Sequence, residues 1–403
     1  MVAPQPRPGR VRAVIPIAKP LLGVEEEEAV AAVVRSGWLS QGKEVLAFET
    51  AFAARVGAAR ACAVSNCTTA LHLALLALGV SRHDEVVTVS HSFIATANAI
   101  RQCGAEPVFV DIDPATYNMS PDALEAAIGP ATRAVLCVHQ MGMPCNLARI
   151  LPIAWKHDLP VIEDAACAIG SEICLDGTWQ PIGAPLADIA CFSFHPRKIV
   201  TTGEGGMLTT RHVHMDARFR LWRQHGMDVP DTVRHKARQV LFESYSVTGY
   251  NYRMTDLQAA IGNQQMTRLD DIIARRRRLA ERYHEMLAKM PEVAPPFEPG
   301  WARSNWQSYC VRLPDGVDQR AVMQVMLDRG VATRRGIMCT HLEPAYADAK
   351  HRYPLGESER ARDRCILLPL YPQMTETEQA TVVDALQRAL RLSRRGRRIR
   401  TVT

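Results

Sequence analysis

The stretch Cys191-Phe192-Ser193-Phe194-His195-Pro196-Arg197-Lys198, followed by Thr201-Thr202-Gly203-Glu204-Gly205-Gly206, is a short apolar, β-rich run that stops at a proline and opens onto a Gly/Thr loop carrying one lysine. Most lysines lie in water. This one follows a strand that must be buried, where desolvation and the neighbouring Arg197 would lower its pKa, the requirement for Schiff-base chemistry with an aldehyde. Outward from it, similar runs recur at 61–65, 85–89, 107–110, 134–138, 160–163, 189–194 and 205–209. Between them the apolar spacing turns helical, as in Thr69, Leu71, Leu73, Leu76 and Leu78 and again over 147–155. Short strands alternating with helices call for an α/β fold built on a large, doubly wound, mostly parallel seven-stranded sheet.

The flanks organise around that sheet. Residues 24–35 and 43–55 read as helices, separated by the turn-rich loop Ser36-Gly37-Trp38-Leu39-Ser40-Gln41-Gly42. The stretch 255–290 has helical periodicity throughout, and its run of arginines at 275–278 reads as a solvated face. After Pro291-Glu292-Val293-Ala294-Pro295-Pro296 the composition changes. A strand near 308–313, a helix over 319–329 and a last helix over 375–392 form a smaller α+β lobe. The resulting division is a flexible basic tail at 1–12, a large domain at 13–270, a small C-terminal domain at 271–390 and a second basic tail at 391–403. No internal repeat is present.

Composition narrows the class. The 403 residues are 47% hydrophobic, 22% charged and 6% aromatic, close to a soluble globular average. Nine arginines in the two tails, where no acid occurs, exceed the net charge of +6 and leave −3 for the body, so a nucleic-acid partner is not expected. No apolar run approaches a membrane span and the N-terminus has no signal-peptide core. The eleven cysteines are scattered, without C-x-x-C pairs or zinc-ligand spacing, which fits a reducing, cytoplasmic compartment and no metal.

In an open parallel sheet, ligands sit beyond the carboxyl ends of the strands. Three of those ends hold residues that make sense together. In Ser65-Asn66-Cys67-Thr68-Thr69-Ala70 the amides and hydroxyls of Thr68 and Thr69 would cap a helix start and could hold a phosphate. Val161-Ile162-Glu163-Asp164 ends a strand on two acids, one of which can pair with a protonated ring nitrogen or cap the next turn. Lys198 is the third. A phosphate cradle, an acid for a pyridine nitrogen and a Schiff-base lysine are the parts of a pyridoxal phosphate site.

The blocks SNCTTALH, HSFIATANAI, VDIDPATYN, VHQMGMP, VIEDAACAIG, FSFHPRKIVTTGEGG, RQHGM and GYNYRMTDLQAAIG resemble the DegT/StrS family of sugar aminotransferases, fold type I pyridoxal phosphate enzymes. The resemblance implies that Lys198 carries the cofactor and shuttles the proton, and that Asp164 pairs with the pyridinium nitrogen. Phe93 would stack on the ring, with a core phenylalanine as the alternative. Thr68, Thr69 and Ser193 would bind the phosphate, and Cys167 stands where the family has His or Gln near the cofactor hydroxyl. Asn251 and Arg253 match a segment that reaches the partner subunit's phosphate, which implies a homodimer with shared sites. Trp38, His195, His225 and His341 are the candidate substrate contacts, although His195 and His225 also read as satisfied structural histidines. The implied reaction is ping-pong transfer of an amino group from L-glutamate or glutamine to a keto-sugar nucleotide. A keto-cyclitol acceptor and a cofactor-binding regulator without turnover are the alternatives. Lys198 itself argues against the deoxysugar-dehydrating branch, which has His at that position.

Overall fold

The computed structural model describes residues 14–400 other than 185, 236, 350 and 351, so the tail expected at 1–12 and the last three residues lie outside it. Two helices open the chain, α1 (Val24–Ser36) and α2 (Lys43–Val56). Helix α1 has Glu25, Glu26 and Glu27 in its first turn and Arg35 in its last, each complementing the helix dipole, and it stops at Gly37 with φ +73°. The α/β body then runs β1 (Arg60–Val64), α3 (Cys67–Ala77), β2 (Glu85–Val89), α4 (Ala95–Gln102), β3 (Glu106–Val110), α5 (Pro121–Ala127), β4 (Thr132–Val138), α6 (Leu147–Lys156) and β5 (Val161–Asp164). It continues through a hairpin, β6 (Glu172–Leu175) and β7 (Thr178–Pro181), to β8 (Ile189–Ser193), β9 (Gly206–Thr210), α7 (Val213–Trp222) and α8 (Asp231–Arg234).

Seven of these strands form one sheet in the order β1-β9-β8-β5-β4-β2-β3. Strands β3, β2, β4, β5 and β8 are parallel, and β9 runs antiparallel between β8 and β1. The reversal places the start of β9 on the same edge as the carboxyl ends of the others. Strand interiors are continuously buried, as two-sided parallel sheets require, and this is why the apolar runs located every one of them in sequence. The hairpin β6–β7 and the two-residue strand β10 (Ala302–Arg303) beside it form a small sheet that the sequence did not announce.

The region 255–290 is two helices, α9 (Asp256–Thr267) and α10 (Leu269–Leu287), and not one. Arg268 leaves helical geometry at φ −106°, ψ 3° and its guanidinium ion-pairs with Glu25 and Glu26 of α1. The arginine run at 275–278 is not a solvated face either. Arg276 is buried, donating Nε to Trp306 O at 3.0 Å and Nη2 to Gln307 O at 2.6 Å, while Arg277 Nε donates to Ser304 O at 3.0 Å.

The chain ends with β11 (Tyr309–Arg312), α11 (Gln319–Asp328), β12 (Arg334–Arg335), α12 (Gly356–Arg364), β13 (Cys365–Leu368) and α13 (Glu376–Arg400). Strands β11, β13 and β12 form a three-stranded antiparallel sheet. Helix α13 covers it with Val382, Ala385, Leu386, Ala389 and Leu390, one helical face at i, i+3, i+4, i+7 and i+8. Its backbone continues as helix through the arginine-rich segment from residue 391 to Arg400. This second core is joined to the first by α10, whose Leu269, Ile272 and Ile273 face the large sheet and whose Ala280, Tyr283 and Leu287 face the small one. Among the described residues no helix is long and apolar enough to cross a membrane.

Candidate functional site

Strand β8 enters the site from an aromatic core. Phe192 packs edge-on to Phe52 at 4.9 Å and Phe194 lies 5.0 Å from Phe48; each fully buried ring contributes about 1.5–3 kcal/mol of transfer free energy. The loop that follows is pinned at its base. Phe194 N donates to Gly205 O at 2.9 Å, and Thr201 Oγ1 and Thr202 N donate to Phe194 O at 2.8 and 3.0 Å. Within it Lys198 N donates to His195 O at 2.8 Å, a tight turn that directs the lysine back over the sheet edge. Its Nζ donates to Cys167 Sγ at 3.0 Å.

This contact corrects the expected direction of the lysine's pKa. Burial pulls the ammonium down, but the Cys167 sulfur, Cys67 and Asp164 outweigh it, so Lys198 is held above its ordinary value. Arg197, expected to depress it, acts elsewhere.

Asp164 lies at the end of β5, in register with Cys191 of β8. It is buried, accepting from Thr96 Oγ1 at 2.8 Å and from Ala166 N at 3.2 Å, and Thr96 is in turn bonded to Ser92 Oγ at 2.8 Å. Burial pushes its carboxyl up, and the bonds from Thr96 and Ala166 with the charge of Lys198 only partly offset that. No described side chain makes an ion pair with it. Alternation along β5 sends Glu163 to the opposite face, where His139 Nε2 meets its carboxylate at 2.8 Å. The Cys145 amide donates to His139 Nδ1 at 2.9 Å, which fixes the ring as the Nε2–H tautomer.

The phosphate end is built from three strand ends. Ser193 faces Gly206 across β8 and β9, and Gly206 faces Val64 of β1. A Cβ on Gly206 would lie 2.4 Å from Asn66 O and 2.8 Å from Cys67 N, so glycine lets β9 pass against the start of α3. Thr68 does not cap that helix, and Thr69 does so only as the partner of Asn66. Asn66 is the N-cap, its Oδ1 accepting from Thr69 N at 2.9 Å, and the Thr69 hydroxyl is spent on Asn66 O at 2.7 Å. The pattern Asn66-x-x-Thr69 was the missed signal, a capping box with Thr in the third position. Thr68 is half-buried on the first turn with its hydroxyl bonded to no described residue, and Ser193 Oγ accepts from His195 N at 3.4 Å, leaving its proton to give.

The other candidates separate. Phe93, on the loop between β2 and α4, is 69% exposed, which excludes a core phenylalanine. Arg253 is bridged to Val64 and Ser65 N donates to Tyr252 O at 2.8 Å, so this segment runs beside the phosphate end of its own chain; Asn251 is exposed and bridged to Gln224. His195 is half-buried in the lysine turn, its Nδ1 accepting from Arg197 N at 3.2 Å. His225 is exposed, with φ +65°. Two candidates already have partners within the chain. His341 is buried with Nδ1 2.6 Å from Ser90 Oγ and Nε2 3.2 Å from Glu359, a structural link whose ring nitrogens are taken. Trp38 donates Nε1 to Gln41 O at 3.1 Å and lies edge-on to His235 at 5.1 Å, with no bond to the lysine loop.

A strap from the small lobe, unread in the sequence, completes the wall. Asn305 Nδ2 donates to Cys167 O and Ile169 O, both at 2.8 Å, and Gln307 Nε2 donates to Arg197 O at 2.8 Å. Arg276 holds the strap from below through the carbonyls already named. Among the described residues there is no group of three or more His, Cys, Asp or Glu that could hold a metal ion. The edge therefore offers a buried acid without a counter-cation, a reachable amine and a glycine-opened helix start. Together these fit a flat, phosphorylated, nitrogen-containing ring such as pyridoxal phosphate.

Comparison with known proteins gives the same direction. The model of the DegT/DnrJ/EryC1/StrS aminotransferase family matches residues 20–387. The chain is 37% identical over 380 residues to the spore coat polysaccharide biosynthesis protein SpsC of Bacillus subtilis (strain 168), covering 93% of this chain and 96% of that protein. Its fold is similar to that of the aminotransferase TlmJ from Streptoalloteichus hindustanus, at 34% identity, with 94% and 100% of the two chains covered and a TM-score of 0.86. It is also similar to DesI, solved in the presence of its TDP-sugar product, at 32% identity, 98% and 97% coverage and a TM-score of 0.86.

Proposed function

Because the chain belongs to the DegT/DnrJ/EryC1/StrS aminotransferase family, we propose that it moves an amino group from L-glutamate to a keto-sugar nucleotide by a two-stage, ping-pong cycle. At the coarser level it is a pyridoxal-phosphate-dependent sugar aminotransferase of that family. The similarity to DesI, whose product is a TDP-sugar, supports a nucleotide-linked acceptor.

The observation that carries the reading is Asp164. A buried carboxylate with only neutral donors on it is unfavourable alone and becomes favourable against a protonated ring nitrogen. When bound, pyridoxal phosphate supplies an electron sink for the carbon that gains or loses the amine. The protein supplies the rest. Asp164 keeps the proton on the ring nitrogen, and Thr96 orients the carboxylate. Lys198 Nζ, half-buried and reaching over the same edge, takes and returns the proton at the reacting carbon in both stages. Ser193, Thr68 and the first amides of α3, with that of Thr69 among them, hold the phosphate, Phe93 covers the ring and Cys167 flanks it beside the lysine. Arg253 stands beside the phosphate end, and Trp38, His195, His225 and His341 are the proposed substrate contacts.

A homodimer is part of the proposal. Val240 and Phe242 are 83% and 89% exposed and Tyr245 is exposed beside them, on the segment that leads into exposed Asn251. A second copy would cover them. The test is Lys198→Ala assayed with L-glutamate and a panel of keto-sugar nucleotides and keto-cyclitols. Turnover should vanish while the circular dichroism spectrum stays that of the wild type; sustained transamination by the variant would sink the reading.

A further inference from the structure

The roles assigned so far leave the thiol of Cys167 without chemistry of its own. Lys198 Nζ donates to its sulfur at 3.0 Å and makes no other hydrogen bond or ion pair among the described residues. The two side chains come from the turns that follow β5 and β8, strands paired in parallel, so the sheet sets them side by side. The thiol is held there. Asn305 Nδ2 grips the Cys167 carbonyl at 2.8 Å, and Ala168 N closes the turn onto Ala165 O at 2.9 Å.

Reach separates this thiol from the others. Eight of the eleven cysteines are buried, and of the half-buried Cys103, Cys167 and Cys174 only Cys167 is bonded to a lysine among the described residues. Peroxide oxidises the thiolate form of a cysteine, which a neighbouring cation favours, and a sulfenic acid formed beside a nitrogen condenses with it.

We propose that Cys167 and Lys198 are an oxidative modification site. The pair closes to a sulfur–nitrogen bond, a sulfenamide, when hydrogen peroxide meets the chain with the lysine free of cofactor. The thiolate sulfur attacks peroxide, the O–O bond breaks, and the sulfur, oxidised by two electrons, becomes a sulfenic acid. The hydroxide released takes a proton from the ammonium, leaving one water and a neutral amine. The nitrogen lone pair then attacks the sulfur and the S–O bond breaks, the departing hydroxide taking a proton from nitrogen as a second water. The first step prepares the second. Burial pulls the Lys198 ammonium down and the Cys167 sulfur is foremost among the groups that hold it up, so turning that thiolate into a neutral sulfenic acid releases the amine. The chemistry depends on the pair alone, while its consequence, a lysine that cannot take pyridoxal phosphate, rests on the function proposed above.

The experiment treats the full chain, stripped of cofactor, with hydrogen peroxide and maps its peptides by mass spectrometry without reductant. A peptide joining Cys167 to Lys198, lighter by two hydrogens than its parts, should form. Pyridoxal phosphate loading, read from the visible absorbance, should fall in step by about tenfold or more, and dithiothreitol should restore it. Protein loaded before the oxidant is added should not form the linked peptide. Cys167→Ser, with the circular dichroism spectrum of the wild type, should load equally before and after peroxide. Cys167 recovered as a free thiol, or as a sulfinic acid with Lys198 unlinked, overturns the proposal, as does a loss of loading that persists in Cys167→Ser. Untreated wild type that takes no pyridoxal phosphate overturns the function proposed above, and the linked peptide still decides this pair; normal loading and transfer with no linked peptide after peroxide overturns this inference alone.

Discussion

Asp164 and Lys198 are read from opposite sides of the same electrostatic balance. The acid is held above the ordinary carboxylate value because burial outweighs its hydrogen bonds, and the lysine above its own because neighbouring acidic groups outweigh burial. For Asp164 the sign of the stability effect follows. A carboxyl raised in the folded state contributes stability that is complete below its unfolded value and is lost as pH rises through the raised one. Cofactor-free wild type should therefore lose melting temperature relative to Asp164→Asn as pH climbs out of the carboxylate range, and parallel curves would contradict the assignment. The same variant should lose turnover by about a hundredfold or more, the size of a missing preorganised charge. Much at this scale was legible: the acid, the lysine and Ser193 all follow apolar strands whose ends sequence can locate. The bonds of His341 were not, because nothing near it in sequence announces that Ser90, 251 residues away, will take its ring nitrogen.

Among the elements, helix α10 does the least expected work. Its arginine run reads as a solvated face by composition, yet Arg276 is the clamp on the 304–308 strap that borders the site. A buried cation satisfied only by carbonyls is revealed by tertiary contact alone, and burial lowers its pKa to about 10. Arg276→Met leaves the carbonyls of Trp306 and Gln307 without donors and should cost about 2–4 kcal/mol of stability in urea unfolding. A change below about 0.5 kcal/mol would mean that the strap is held by something else. The break at Arg268 was hidden for a similar reason. The apolar period continues across it, and only the ion pairs to Glu25 and Glu26 show why the chain turns there.

The whole molecule follows from strand order. Placing β9 antiparallel between β1 and β8 brings Ser65, Asp164, Ser193 and Gly206, distant in sequence, to one edge, and the small lobe closes over it with the strap and β12. Parallel strands buried on both faces are the most readable elements of a sequence, so the large sheet was legible almost residue by residue. The small lobe was legible only as a change of composition, since its short strands and strap depend on distant partners. The central claim is that this edge holds pyridoxal phosphate on Lys198 and passes an amine through it. The visible spectrum of the reconstituted protein, recorded before and after L-glutamate and then with keto-sugar nucleotides, tests it most directly. The account predicts that the absorbance of the lysine-bound cofactor disappears with glutamate, returns with a keto-sugar nucleotide and shows no such cycle in Lys198→Ala. A spectrum indifferent to every amino donor, or the same cycle in the variant, would contradict it.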